Sequence, residues 1–237
     1  MFSTMKYRFL RPAGFAQFLV GVAALLLLAA PALAQQGPFL AGDYCTYTQG
    51  GWGSVPHGNN PGMILQTYFY TVYPPSPGGF VEVGIPGDPT PGNPRYSMKF
   101  TSDDAIQDYL PAGRKPAPLV RDDTNPLTTA SGVFGGQVLA LQLNVDFSHA
   151  DILGDISLPE FGDLKITGTG TSFDGMTVRQ VLAAANQALG GAVLPSGYTV
   201  SNLNGLVSFL NQGFDNCLPS GWAQQHLSFP EVGPPPA

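Results

Sequence analysis

Charge is scarce in this chain: Asp, Glu, Lys and Arg make up 11% of its 237 residues, with 16 acids against 10 bases. Arg114 and Lys115 are the only adjacent bases, so the clustered positive charge that nucleic acid or an anionic lipid surface demands is missing. Cysteine is limited to Cys45 and Cys217, and histidine to His57, His149 and His226. Neither cysteine has a second cysteine or a histidine at ligand spacing, which argues against a thiolate metal site. The chain has no Gly-x-Ser-x-Gly elbow, no His-Glu-x-x-His pair and no phosphate loop, so it carries no motif of those hydrolase, metalloprotease and nucleotide chemistries. Its longest apolar run, Phe15 to Ala30, falls short of the roughly 20 residues a spanning helix needs.

That run has a different meaning. Lys6, Arg8 and Arg11 precede it and Ala32-Leu33-Ala34 follows it, the pattern of a signal peptide over 1–34 with a small-x-small cleavage site. Cleavage would remove three of the ten bases and no acid, leaving 7 against 16, a net −9, with no membrane segment retained. The organisation expected beyond it is a leader over 35–44, one domain over 45–228 and a Pro-rich tail over 229–237 ending in Pro234-Pro235-Pro236. Roughly 200 residues suffice for one hydrophobic core. In an oxidising compartment Cys45 and Cys217 are expected to pair, two buried free thiols being the alternative. A bridge would clasp the beginning of the domain to its end, and closing so long a loop is worth up to about 5 kcal/mol on chain-entropy grounds.

With 30 Gly and 23 Pro, loops are abundant. The segment from Tyr44 to Gly62 reads as rigid and irregular, and Met63 to Tyr73 as a short helix or a strand. Phe80 to Ile85 and Arg95 to Phe100 read as strands, followed by a short helix capped at Thr101 or Ser102 and stopped by Pro111. Leu139, Leu141, Leu143, Val145 and Phe147 alternate as in a strand, while Phe134, Val138, Leu141 and Val145 form a helical stripe, and periodicity leaves 138–147 undecided. Leu164 to Thr167 reads as another strand. Thr177 and Gln180 form a capping box ahead of the stripe Val178, Val181, Leu182, Ala185 and Leu189. Leu203, Leu206, Val207, Leu210 and Phe214 repeat that spacing, so an antiparallel helix pair is expected in the C-terminal third. Leu218-Pro219-Ser220-Gly221 lacks the threonine and the following anchor of a sortase substrate. The fold class expected is α+β, a single disulfide-clasped domain with several short strands.

Candidate chemistry is thin. His149 with Asp151 or Asp146 and a serine such as Ser54 could form a hydrolytic triad, against the plainer reading of three loop or surface histidines. Asp146, Asp151, Asp155, Glu160 and Asp163 crowd one glycine-containing stretch and could hold a structural Ca²⁺, or could be a solvated acidic loop. A pair of these carboxylates could also serve a glycosidase. Trp52 and Tyr47, with Tyr44, Tyr68, Tyr70 and Tyr73 nearby, could stack on a ligand or fill the core. No cofactor other than calcium is indicated.

Cys45-Thr46-Tyr47-Thr48-Gln49-Gly50-Gly51-Trp52 resembles the opening of a set of uncharacterised secreted bacterial modules, in which the cysteine is followed by Thr-Gln-Gly-Tyr-Trp-Lys-Asn-His. Here Gly51 replaces the tyrosine, and Gly53-Ser54-Val55 stands in place of Lys-Asn-His. Gly136 to Asn144 resembles a later, helical segment of those modules, which implies a helix over 133–147. The resemblance implies a location, secreted or on the cell-envelope exterior of a bacterium, and no activity. The function expected is a non-catalytic structural, adhesive or surface-associated module whose partner is an extracellular protein or a glycan surface. Self-assembly is compatible with the low charge. The rival is a carbohydrate-binding or carbohydrate-processing protein, which would require a concave site joining Trp52 to two converging acids. Mass spectrometry of the exported product should find its first residue near Gln35, and a stable exported chain that retains 1–34 would refute the signal-peptide reading.

Overall fold

The computed structural model describes residues 38–231 except 77, 88–94 and 195. The expected signal peptide, the first leader residues, residues 88–94 and the end of the Pro-rich tail lie outside the described residues. Within them the domain is α+β, with short strands and helices around one core. It opens with α1 (Gln49–Trp52), one helical turn where an irregular loop was expected. Thr48 supplies the reason, its hydroxyl accepting from the Gly51 N–H as a helix cap. α2 (Pro61–Val72) follows, with Asn60 capping the Met63 N–H and proline in the first turn. β1 (Val81–Gly84) and β2 (Ser97–Phe100) pair antiparallel with Val81 opposite Phe100. α3 (Asp103–Tyr109) starts at Ser102, and its first turn carries Asp103 and Asp104 at the positive end of the helix dipole. β3 (Asp123–Thr124) adds a parallel strand to β2 that no periodicity announced.

α4 (Val133–His149) resolves the undecided stretch as a helix. Phe134, Val138, Leu139, Ala140, Leu141, Leu143 and Phe147 are all fully inaccessible, so α4 is buried around most of its circumference. A helix with almost no solvent face has no polar stripe to contrast with its apolar one. Its sequence therefore satisfied the strand pattern and the helix pattern together. β4 (Lys165–Ile166) follows a 3-10 turn at Phe161–Asp163. α5 (Val178–Leu189) and α6 (Val200–Asn211) are the expected helix pair, packed on each other and on α4, each opened by a capping box. α7 (Gly221–His226), capped by Ser220, and β5 (Leu227–Ser228), paired with β4, complete the domain.

The clasp is formed: Cys45 and Cys217 are joined across a sequence separation of 172. Hydrogen bonds double it, from Gly42 N–H to the Cys217 carbonyl at 2.8 Å and from Thr46 N–H to the Phe214 carbonyl at 3.0 Å. Two expected boundaries move outward as a result. Phe39 and Tyr44 are core residues, so the folded region begins before Cys45. Phe229 packs its ring 5.1 Å from that of Phe39, so the tail does not start free of contacts.

Asn144 on α4 is a fully buried polar side chain. Its Oδ1 accepts from the Tyr47 N–H at 2.8 Å and from the Trp52 indole N–H at 3.1 Å. Its Nδ2 donates to the Tyr47 carbonyl at 2.9 Å and to Asn211 Oδ1 at 3.0 Å. All four hydrogen-bonding positions of the amide are used. Asn211 in turn donates to Gln137, and its carbonyl accepts from Thr46 Oγ1. One buried network thus ties the start of the domain to α4 and α6. Replacing Asn144 by Leu strands four buried polar groups and should cost about 3–5 kcal/mol in a urea unfolding measurement, and a loss under ~1 kcal/mol would show the network to be dispensable.

Candidate functional site

The residues singled out by sequence do not assemble into a site. Trp52 is fully inaccessible and Tyr47 nearly so, their rings meeting edge to face at 5.3 Å, with the Phe147 ring 5.0 Å from the indole. Neither presents a face to a ligand, so the stacking role is corrected to a core role. The cause is Asn144, whose side chain draws the indole N–H inward and satisfies it there.

The five acids do not converge as one set, although Asp151, Asp155 and Glu160 border one hollow of about 10 Å³ and Glu160 and Asp163 share a partner. Asp146, on α4, accepts from the Tyr73 hydroxyl at 2.7 Å and from Gln142. Burial pushes its carboxyl above the ordinary range, against the lowering effect of those hydrogen bonds, and burial likewise drives the Tyr73 phenol well up. Asp155 accepts from the backbone and hydroxyl of Ser157, which lowers its pKa. Glu160 and Asp163 share Arg179, and Glu160 also meets His149 at 2.9 Å. Asp151 sits in a left-handed turn beyond α4. Among the described residues no group of three or more His, Cys, Asp or Glu is placed to hold a metal ion. The triad reading fares no better. Ser54 Oγ accepts from Asn60 and Gly62 at the start of α2, and the hydrogen bond of His149 runs to Glu160.

A larger concavity lies elsewhere. It is a half-open groove of about 610 Å³ between the loop after β4, α6 and α7, lined by Phe173, Gly205, Leu206, Phe209, Trp222 and His226 among others. The loop is fixed by Asp174, which accepts from Thr169 N–H, Thr169 Oγ1 and Gly170 N–H, bonds that lower its pKa. α7 is short, yet its one and a half turns put Trp222 and His226 on the same side, because residues four apart share a helix face. The Trp222 ring lies parallel to Phe209 at 5.3 Å with 7° between planes, and the His226 imidazole is 5.4 Å away. Phe209 is nonetheless 49% exposed. His226 Nδ1 is 3.1 Å from the Thr167 carbonyl, a contact that requires the proton on that nitrogen. Beyond the Phe173–Tyr198 ring contact a second apolar hollow of about 360 Å³ is lined by Met176, Leu194 and Val193.

Sequence reasoning missed this groove, although two signals were present. Phe209 falls off the apolar stripe of α6, where a large aromatic has no core to enter. Gly205 interrupts the same helix at a position where an added Cβ would meet nothing within 4 Å, so neither packing nor backbone conformation calls for glycine there.

No family model matches the chain, and no curated protein or solved structure matches it either. No helix among the described residues is long and apolar enough to cross a membrane.

The raised pKa of Asp146 fixes the sign of a test. A carboxyl whose folded pKa exceeds its unfolded one contributes stability that is complete below the unfolded pKa and lost as pH rises through the folded one. Asp146→Asn keeps an acceptor for Tyr73 without the buried charge, so it should raise Tm by roughly 1–3 °C at pH 7, with the gap closing as pH falls towards 4. Thermal melts of both proteins across that range check it, and an Asn variant less stable at pH 7 would contradict it.

Proposed function

We propose that the chain is a non-catalytic binding module of the bacterial cell exterior, which holds its partner in the groove between α6 and α7. The carrying observation is the chemistry of that groove: an aromatic-rich lining in which, among the described residues, His226 is the one titratable side chain, with one ring nitrogen already engaged and Asp174 acting on it only electrostatically from the loop behind. General acid–base work needs a second positioned group within hydrogen-bond reach, and none of the lining residues is Asp, Glu, Lys, Arg or Cys. A few hundred Å³ of mostly apolar surface with a few polar groups suits recognition. The signal-peptide pattern and the Cys45–Cys217 bridge support an oxidising, extracytoplasmic location.

The carbohydrate-processing alternative loses its support, since it required Trp52 and converging acids in one concave site. The test joins binding to turnover. A labelled mature protein should be retained on the surface of the producing cells, and Phe209→Ala with Trp222→Ala should reduce retention at least tenfold while the far-UV spectrum is unchanged. A panel of glycan, ester and peptide substrates should show no turnover. Turnover abolished by His149→Ala or Asp151→Asn in a folded protein would overturn the non-catalytic reading.

A further inference from the structure

A fixed negative charge stands beside the aromatic groove. Asp174 belongs to the loop whose Thr169, Thr171, Ser172 and Phe173 form one wall. Three donors hold its carboxylate: Oδ1 accepts from Thr169 Oγ1 at 2.6 Å and from Thr169 N–H at 2.9 Å, and Oδ2 from Gly170 N–H at 2.9 Å. These bonds favour the ionised form, and its charge reaches the His226 imidazole on the α7 wall. Oδ2 takes that one bond alone among the described residues, so it keeps capacity to accept another. Two neutral acceptors are unspent as well. His226 carries its proton on Nδ1, 3.1 Å from the Thr167 carbonyl, which leaves a lone pair on Nε2 in the neutral ring. Ser172 is engaged through its backbone carbonyl, by the Tyr198 hydroxyl at 3.3 Å, and its Oγ makes no hydrogen bond to the described residues. No lysine or arginine lines the groove to meet any of the three.

The rings favour the same sign of charge. Phe209 gives one face to Trp222, the planes 7° apart, and remains 49% exposed. The face of an aromatic ring is the negative side of its quadrupole, so a ring left open to solvent attracts a cation. Among protein cations the lysine ammonium is a compact, strongly hydrated point charge. The arginine guanidinium is flat and weakly hydrated, stacks on aromatic faces and carries five N–H donors around its edge. A stacking surface bordered by several acceptors and a countercharge matches the second and not the first. The net charge of −6 on the chain adds a long-range attraction for basic partners. We propose that the groove is an arginine subsite, which takes an exposed arginine from a basic segment of a partner protein. The lining supplies each part of that recognition: Phe209 the stacking face, Ser172 Oγ and His226 Nε2 the neutral acceptors, and Asp174 the countercharge.

The inference rests on the binding-module reading and is tested separately from it. The mature protein is titrated with the peptide acetyl-Gly-Arg-Gly-Arg-Gly-amide, with its citrulline and lysine counterparts and with cellohexaose, following tryptophan fluorescence and calorimetry. Citrulline keeps the shape of the arginine side chain and removes its charge. The arginine peptide should bind saturably, at least tenfold more tightly than the citrulline peptide and severalfold more tightly than the lysine one. Raising NaCl from about 0.05 M to about 0.5 M should weaken it severalfold. Asp174→Asn, which keeps an acceptor for Thr169 and removes the charge, should weaken it severalfold and flatten that salt dependence. Gly205→Leu should weaken it at least tenfold without lowering Tm, because the new side chain enters open space in the groove on a better helix former. An arginine peptide that fails to saturate at millimolar concentration, binds no better than the citrulline or lysine peptide, or is indifferent to Asp174→Asn or Gly205→Leu overturns the proposal. So does cellohexaose binding or concentration-dependent self-association that Gly205→Leu abolishes. Any of these leaves the binding-module reading standing if surface retention still depends on Phe209 and Trp222. Retention that ignores those two residues refutes that reading as well.

Discussion

Everything in this domain is arranged around the side-chain amide of Asn144. A buried amide is costly unless both of its lone-pair positions and both of its N–H bonds are used, and here all four are. Because its partners come from the first folded segment and from α6, the amide fixes where those elements sit relative to α4. The disulfide lies beside the same junction and closes it covalently. The stretches 45–52 and 136–144 are the two that meet here. Gln49 makes a second contact between them, since its Oε1 accepts from Ala112 N–H in space that a side chain on Gly136 would fill. In this chain the conspicuous Cys-to-Trp motif is therefore a joint of the scaffold.

That arrangement separates scaffold from surface. The aromatic rings around Asn144 and the Phe39, Tyr44 and Phe214 group are consumed by packing. The aromatic surface left exposed is on another face of α6, where Phe209 and Trp222 stack on each other rather than into the core. Two tryptophans in one chain thus serve two purposes, and the one in the more distinctive motif is the one that no ligand can reach.

Which features the sequence disclosed follows from the range of the forces involved. Capping boxes and apolar stripes are local, so α5 was legible from Thr177 and its stripe, α6 from its stripe, and the start of α3 to within Thr101 or Ser102. The disulfide was legible because the chain has only two cysteines and a signal-peptide pattern ahead of them. α4 was not legible by periodicity, since uniform burial erases the contrast that periodicity measures. β3 and β5 are two-residue strands with no pattern to read. The fate of Trp52 depended on an asparagine 92 residues away, and no local signal encodes that. The acids from 146 to 163 looked like a cluster because they are close in sequence. The end of α4, a left-handed turn and a 3-10 turn aim them at Tyr73, Ser157 and Arg179 instead. The groove drew on three separate segments, so no spacing along the chain could have announced it.

The position of the disulfide has a mechanical corollary. Tension applied to the chain on either side of Cys45 and Cys217 passes through the sulfur–sulfur bond, so the core between them bears none of it. α7 lies outside that loop, and with it Trp222 and His226. It is held by the paired bonds between Gln224 and the Phe39 backbone, at 3.1 and 2.7 Å, by the two-residue pairing of β5 with β4, and by packing against α6. A pull on the segment beyond residue 231 would peel that wall away while the covalent loop stayed folded. The groove would open at a force that the covalent loop does not feel.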